Sequence, residues 1–178
     1  MSTLADNQLT DAVYDLITHY ANDYDKNNIF LGNQNGYVQP KDGRFIIFWI
    51  ISTKALGKPS EIQQYDTEND VTYMTYQAVR NALIQLDYYG DLAELNSNKM
   101  ATMLRASEAS RFLGKYGFSL GEFTDVINLT NEFDSETYLA RYSVTFNVFY
   151  DAVVDIENQA FNEVKIKDIK FIEGDKII

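Results

Sequence analysis

The sequence predicts an α+β fold, with helices packed on a mainly antiparallel, mixed β-sheet. Three observations carry this expectation. Leu9, Val13, Leu16, Ile17 and Tyr20 recur at three- and four-residue spacing, which is the period of one helix face. Tyr138, Ala140, Tyr142, Val144, Phe146, Val148 and Tyr150 occupy consecutive alternate positions, the period of one strand face. The run Phe45-Ile46-Ile47-Phe48-Trp49-Ile50-Ile51 is β-branched and aromatic with no polar alternation. It predicts a strand covered on both faces, or on one face by the core and on the other by a neighbouring subunit.

The elements follow in order. A helix is expected from about Gln8 to Tyr24, with Thr10 and Asp11 in the first turn, where acidic groups meet the positive end of the helix dipole. Gly32-Asn33-Gln34-Asn35-Gly36 reads as a loop with tight turns. After the apolar run, Leu56-Gly57-Lys58-Pro59-Ser60 breaks the strand, because Pro59 has no backbone N–H to donate to a ladder. Glu61 to Tyr65 is a short strand, Asp66 to Asp70 an acidic turn, and Val71 to Tyr89 strand-like in two pieces. Together residues 61–77 form a projecting hairpin. In the second piece Ala82, Ile84, Leu86 and Tyr88 alternate with mostly polar residues, as a half-buried strand requires.

Asp91 to Leu104 reads as a second helix with Leu92, Leu95, Met100, Met103 and Leu104 as core candidates. Ser107 to Leu113 is a short third helix, ended by Gly114 and Gly117. Val126 to Leu129 is an edge strand. The alternating strand Tyr138–Tyr150 follows, and Phe161 to Ile172 supplies a last strand. No repeat, low-complexity tract or linker interrupts the chain. The expectation is one domain over residues 1–178, with an N-terminal helix at about 8–24.

Composition narrows the function. The chain has 178 residues, enough to bury a core unaided. Its formal net charge is −11. Such a surface repels nucleic-acid phosphate, which argues against a DNA- or RNA-reading domain. It is compatible with a passage for DNA, where weak repulsion prevents sticking; the plainer reading is solubility. Without cysteine there is no disulfide scaffold, thiolate metal site or cysteine nucleophile. Met1 to Asp6 lacks the basic segment and apolar run of a signal peptide, and no apolar run is long enough to span a bilayer. The expectation is a soluble protein made in a cytoplasm.

Chemistry-bearing patterns are sparse. His19 is the one histidine, and no Gly-x-Ser-x-Gly elbow accompanies it, so a structural histidine is the expectation. Gly57-Lys58-Pro59-Ser60 fails as a phosphate loop, since Ser52 stands where its first glycine belongs and Pro59 removes a donor. Asp66, Glu68 and Asp70 alternate like the start of a calcium loop, but Val71 and Gln77 stand where glycine and the final glutamate are required. Asp11 and Asp15 lie one helical turn apart with no partner histidine. No general acid or base, metal site or cofactor is assigned. The apolar supply of the 45–51 run and the 138–150 strand exceeds what small helices cover, which favours burial between subunits. Phe45, Ile47, Trp49, Tyr138, Tyr142 and Tyr150 are the interface candidates.

An ordered set of segments carries a resemblance. Trp49-Ile50-Ile51-Ser52 is followed by Gln85-Leu86-Asp87-Tyr88-Tyr89-Gly90 leading into a helix. Ala106-Ser107-Glu108-Ala109-Ser110-Arg111-Phe112-Leu113 then runs through Gly117 to Asp125-Val126-Ile127-Asn128-Leu129. Tyr138-Leu139-Ala140-Arg141-Tyr142-Ser143-Val144-Thr145-Phe146 closes the set. This succession resembles the neck-terminator or tail-terminator family of tailed bacteriophages over about residues 46–172. The resemblance implies a tail-terminator-like fold and a structural virion protein without catalytic residues or cofactors. It implies a self-assembled ring, typically a hexamer, that caps the tail tube, halts its growth and docks the head connector. DNA passes through the lumen without sequence-specific binding.

The implied partners are copies of the chain itself, a tail tube protein, and a head-connector or stopper protein. No membrane is involved, and the implied location is the neck or tail of a virion made in a host cytoplasm. Glu61, Asp66, Glu68 and Asp70 are the expected lumen or inter-ring positions. A head-completion (stopper) subunit or a tail-tube or baseplate component shares these features. Rivals of another class are a carboxylate metal-dependent enzyme, which needs three or more carboxylates converging in one pocket, and a module binding a small molecule or peptide in an aromatic cleft.

Overall fold

A computed structural model describes residues 4–32, 43–67, 71–133 and 137–158. Helix α1 (Leu4–Tyr20) is followed by a short 3-10 turn at Lys26–Asn28 and strand β1 (Ile29–Leu31). Then come β2 (Phe45–Ala55), β3 (Ser60–Asp66) and β4 (Val71–Tyr89), two helices, α2 (Ala93–Arg105) and α3 (Ser107–Gly114), and strands β5 (Ser119–Phe123) and β6 (Ile127–Asn128). A small hairpin of β7 (Asn131–Phe133) and β8 (Thr137–Leu139) precedes the long strand β9 (Arg141–Asn158). The α+β expectation holds. Among the described residues the main sheet has seven strands in the order β1-β2-β4-β9-β5, with β3 on β4 and β6 on β9. Only β1 pairs in parallel among the described residues, Ile29 opposite Ile46, so the sheet is mixed but mainly antiparallel.

The core lies between one sheet face and the helices. Leu9, Val13, Leu16 and Ile17 are fully buried against Ile46, Phe48, Ile84, Leu86, Val144, Phe146 and Val148. Each side chain of this size contributes about 1.5–3 kcal/mol on full burial, so this layer dominates the stability. The alternation read in β4 and β9 is the physical cause. Ala82, Ile84, Leu86 and Tyr88 stand opposite Val148, Phe146, Val144 and Tyr142, all on the helix face.

Several boundaries differ from the sequence reading. α1 spans Leu4–Tyr20 rather than about 8–24, and Tyr24, past its end, turns back into the core. β4 is one strand of 19 residues, not two pieces. Leu95 is exposed: α2 buries Ala93, Asn96, Ser97, Met100, Ala101 and Leu104, and that phase turns Leu95 outward. Tyr138 belongs to β8, paired with Glu132, because the ladder stops at Ala140; the alternating strand starts at Arg141 and runs on to Asn158. β1 and β5 are too short for periodicity to reveal. The expected strand Phe161–Ile172 lies outside the described residues.

The Pro59 break does what its chemistry dictates. β2 ends at Ala55 and β3 starts at Ser60, yet both lie along the same edge of β4, with Ala55 opposite Arg80 and Ser60 opposite Gln77. The Leu56 amide spans the gap to the Val79 carbonyl at 2.8 Å. Gly57, at φ +85°, supplies the left-handed turn.

Candidate interaction surface

The sheet face away from the helices carries a polar cluster at its root. Asp87 on β4 is wholly buried. Its carboxylate accepts from Trp49 Nε1 at 3.1 Å, from Gln85 Nε2 at 2.9 Å, and from the Arg141 guanidinium at 3.0 Å. A buried carboxylate needs such partners, because its desolvation without them costs on the order of several kcal/mol. Around the cluster lies an aromatic layer. Phe45 stacks on Tyr89 at 4.3 Å, Arg141 sits over the Tyr89 ring at 5.6 Å, and Phe30 meets Phe45 edge-on. Gly32 passes so close to Trp49 that a Cβ there would lie 2.1 Å from the indole Cε3.

These contacts place the interface candidates. Phe45 and Ile47 are buried within the single chain on this face, and Trp49 is half-buried beside Asp87. Tyr142 and Tyr150 lie on the opposite, helix-facing side. Tyr150 is buried against Phe118, while the Tyr142 hydroxyl donates to Glu94 at 3.2 Å. Burial, and then the Glu94 carboxylate, hold the Tyr142 phenol above its ordinary range. Tyr138 is in the β7–β8 hairpin. The six candidates therefore do not share one surface. The 45–51 strand is covered on both faces in its first half, and only its end, Ile51, is exposed.

Beyond this root the sheet continues as a three-stranded arm. β3 pairs with β4 from Ser60–Gln77 to Asp66–Val71, and β9 pairs with the same stretch of β4 out to Thr72–Asn158. On β9 full burial stops at Tyr150, and Val153 and Val154 are 55% and 53% exposed. Ile62 on β3 is 43% exposed and Val79 on β4 45%. The sequence reading expected the 61–77 hairpin but ended the last alternating strand at Tyr150, so it missed β9 as the arm's third strand; alternation does not show where helical cover ends. Glu61 is exposed on β3 and Asp66 ends that strand; Glu68 and Asp70 lie outside the described residues.

A separate cleft of about 260 Å³ opens between α1 and α3, lined by His19, Tyr20, Glu108, Arg111, Phe112 and Lys115. His19 is exposed and stacks on Phe112 at 5.3 Å, the structural role its context suggested. The Lys115 ammonium lies over the same Phe112 ring, 5.7 Å from its centroid. Burial, then Glu108, raise the Tyr20 phenol, and Arg111 opposes them. Asp15 is engaged by the Tyr116 hydroxyl at 2.6 Å. Among the described residues no group of three or more histidine or carboxylate side chains is placed to hold a metal, and no helix is long and apolar enough to cross a membrane.

Comparison with known families gives one finding of wide coverage. A family model described as phage neck terminator protein matches residues 7–177. A search of curated proteins finds no match.

Proposed function

The chain belongs to the phage neck terminator protein family, a structural family of the virion neck and tail, and from that premise we propose that it caps the tail tube as a ring. In this reading copies of the chain, six in number, close into a ring on the end of the assembled tube and stop its growth. The ring's other side receives the head connector or stopper protein, and DNA passes through the lumen. The whole chain acts as one terminator-like domain, and its work is assembly rather than catalysis. Acidic residues of the β3–β4 hairpin, Glu61 and Asp66 with the neighbouring Glu68 and Asp70, face the lumen or the adjoining ring.

The observation that carries the reading is the family match over almost the entire length. The net charge of −11 supports it, because a negative lumen lets DNA slide without sticking. The exposed arm supports it as well, since a monomer gains nothing from valines held in water. Size-exclusion chromatography with light scattering over a range of protein concentrations tests the ring. A discrete closed oligomer is expected, and a monomer at every concentration would refute it.

A further inference from the structure

We propose that the cleft between α1 and α3 is a docking site for an acidic segment of a partner protein, taking a carboxylate side chain on its cations and an aromatic side chain beside its rings. This goes beyond the ring reading and does not need the ring to close.

Both helices build the cleft. His19 and Tyr20 come from the last turn of α1, Glu108, Arg111 and Phe112 from α3, and Lys115 from just past the end of α3. Phe112 is the centre of the wall. The His19 ring stacks on it at 5.3 Å, Tyr20 lies at 6.3 Å and Tyr116 at 5.8 Å. His19 also meets Tyr20 edge-on at 4.7 Å. Rings that hold one another in place are ordered before a partner arrives, which lowers the entropy lost on binding. His19, Arg111 and Lys115 remain exposed to a partner.

The charge of the cleft runs against that of the chain, which has 26 acidic residues and 15 lysines and arginines. Elsewhere on the helix layer Lys99 pairs with Asp23, and Arg105 with Asp125. Arg111 and Lys115 have no carboxylate within ion-pair distance among the described residues. Arg111 donates to the Ser107 hydroxyl at 3.1 Å, and Lys115 rests over the Phe112 ring. A cation at the end of α3 suits the helix dipole. The dipole does not call for two of them in one aromatic cleft, where they outnumber Glu108. An arginine fork matches a carboxylate, and a lysine beside it adds a second positive charge.

Size and surroundings select the ligand. The volume of about 260 Å³ is below the roughly 300–1,000 Å³ of a small-molecule site. It suits one or two side chains of a segment that continues over the surface. A nucleic-acid strand is disfavoured by the carboxylates nearby. Glu108 lies in the cleft, Asp11 lines an adjoining one with Lys115 and Tyr116, and Asp15 accepts from the Tyr116 hydroxyl. A chain of phosphates would run past these like charges, whereas a single carboxylate needs only the two cations.

Titration calorimetry of the full-length chain at low salt tests the site. The probe is a synthetic peptide with one phenylalanine flanked by glutamates. It is expected to bind, and added salt is expected to weaken it. Peptides with glutamine for glutamate, or alanine for phenylalanine, are expected to bind more weakly. Arg111→Glu and Lys115→Glu are each expected to weaken the parent peptide by roughly fivefold, the scale of an exposed ion pair. Glu108→Gln is expected to tighten it, a gain that a merely structural role for this cluster would not produce. Circular dichroism melts check that each variant keeps its fold.

No binding at millimolar peptide, or equal binding by the R111E/K115E double variant, would overturn the proposal. Equal binding of the glutamine or the alanine peptide would do the same. An oligothymidine strand that binds more tightly than the peptide, and is lost in the same double variant, would assign the cleft to nucleic acid and overturn it as well.

Discussion

Arg141 donates a 3.0 Å hydrogen bond to Asp87, a carboxylate with no solvent exposure. The pair ties the first residue of β9 to β4 beneath the aromatic layer. Trp49 and Gln85 also donate to Asp87, so Arg141 is one of three side chains holding it. The Arg141→Met variant leaves the carboxylate buried with only neutral donors. The expected loss is about 2–3 kcal/mol in urea unfolding, below the value for a fully buried pair because Arg141 is partly exposed. Asp87→Asn is expected to cost less, since the freed guanidinium reaches water.

Gly32 is fixed by Trp49. The Gly32 amide donates to the Phe48 carbonyl at 2.7 Å, and the indole fills the space where a Cβ would sit. Gly32→Ala is expected to destabilise by about 1–3 kcal/mol, the usual cost of overpacking. In a Trp49→Leu background, where the clashing indole is gone, the same Gly32→Ala change is expected to cost less. Thermal unfolding of the four proteins checks the coupling.

The helix face of this fold was legible in the sequence, and the opposite face was not. Leu9, Val13, Leu16 and Ile17 lie where helical spacing put them, and the alternation through Val144, Phe146 and Val148 marks the buried side of β9. Hydrophobic period is set by one strip of cover, so it reports that strip well. The unbroken 45–51 run indicated cover on both faces without saying whether a neighbour supplied it. Its first four residues are buried within the chain, through contacts such as Phe45 with Tyr89 that join residues far apart in sequence. Residues 61–77 were legible as a hairpin, but the sequence reading ended the alternating strand at Tyr150, so the stretch of β9 that runs beside the hairpin, with the exposed Val153 and Val154, was missed.

Tyr88 and Tyr24 separate two kinds of buried hydroxyl. The Tyr88 hydroxyl is buried without a hydrogen-bond partner, whereas that of Tyr24 donates to the Tyr89 carbonyl at 3.0 Å. Tyr88→Phe removes an unsatisfied group and is expected to leave stability unchanged or raise it by up to about 1 kcal/mol. Tyr24→Phe is expected to cost about 1 kcal/mol, because it orphans a hydrogen bond. Paired urea titrations distinguish the two signs.

The same tyrosines set an alkaline limit. Burial, the first cause in each case, raises both phenols well above their ordinary range. Unfolded tyrosines titrate near pH ~10. Above that pH the unfolded chain releases protons the folded chain retains, so the stabilisation is complete below about pH 10 and declines as pH rises toward the raised folded values. Urea midpoints measured upward from about pH 8 are expected to stay level and then fall past the phenol range. Tyr88→Phe is expected to make that fall shallower, and an equally steep decline in the variant would contradict the assignment.

Electron microscopy of tail tubes assembled with and without this chain tests the terminator role most directly. With the chain present, a ring is expected at one end of each tube, and tube growth is expected to stop. Tubes that grow equally with and without it, and whose ends carry no added density, would contradict the role.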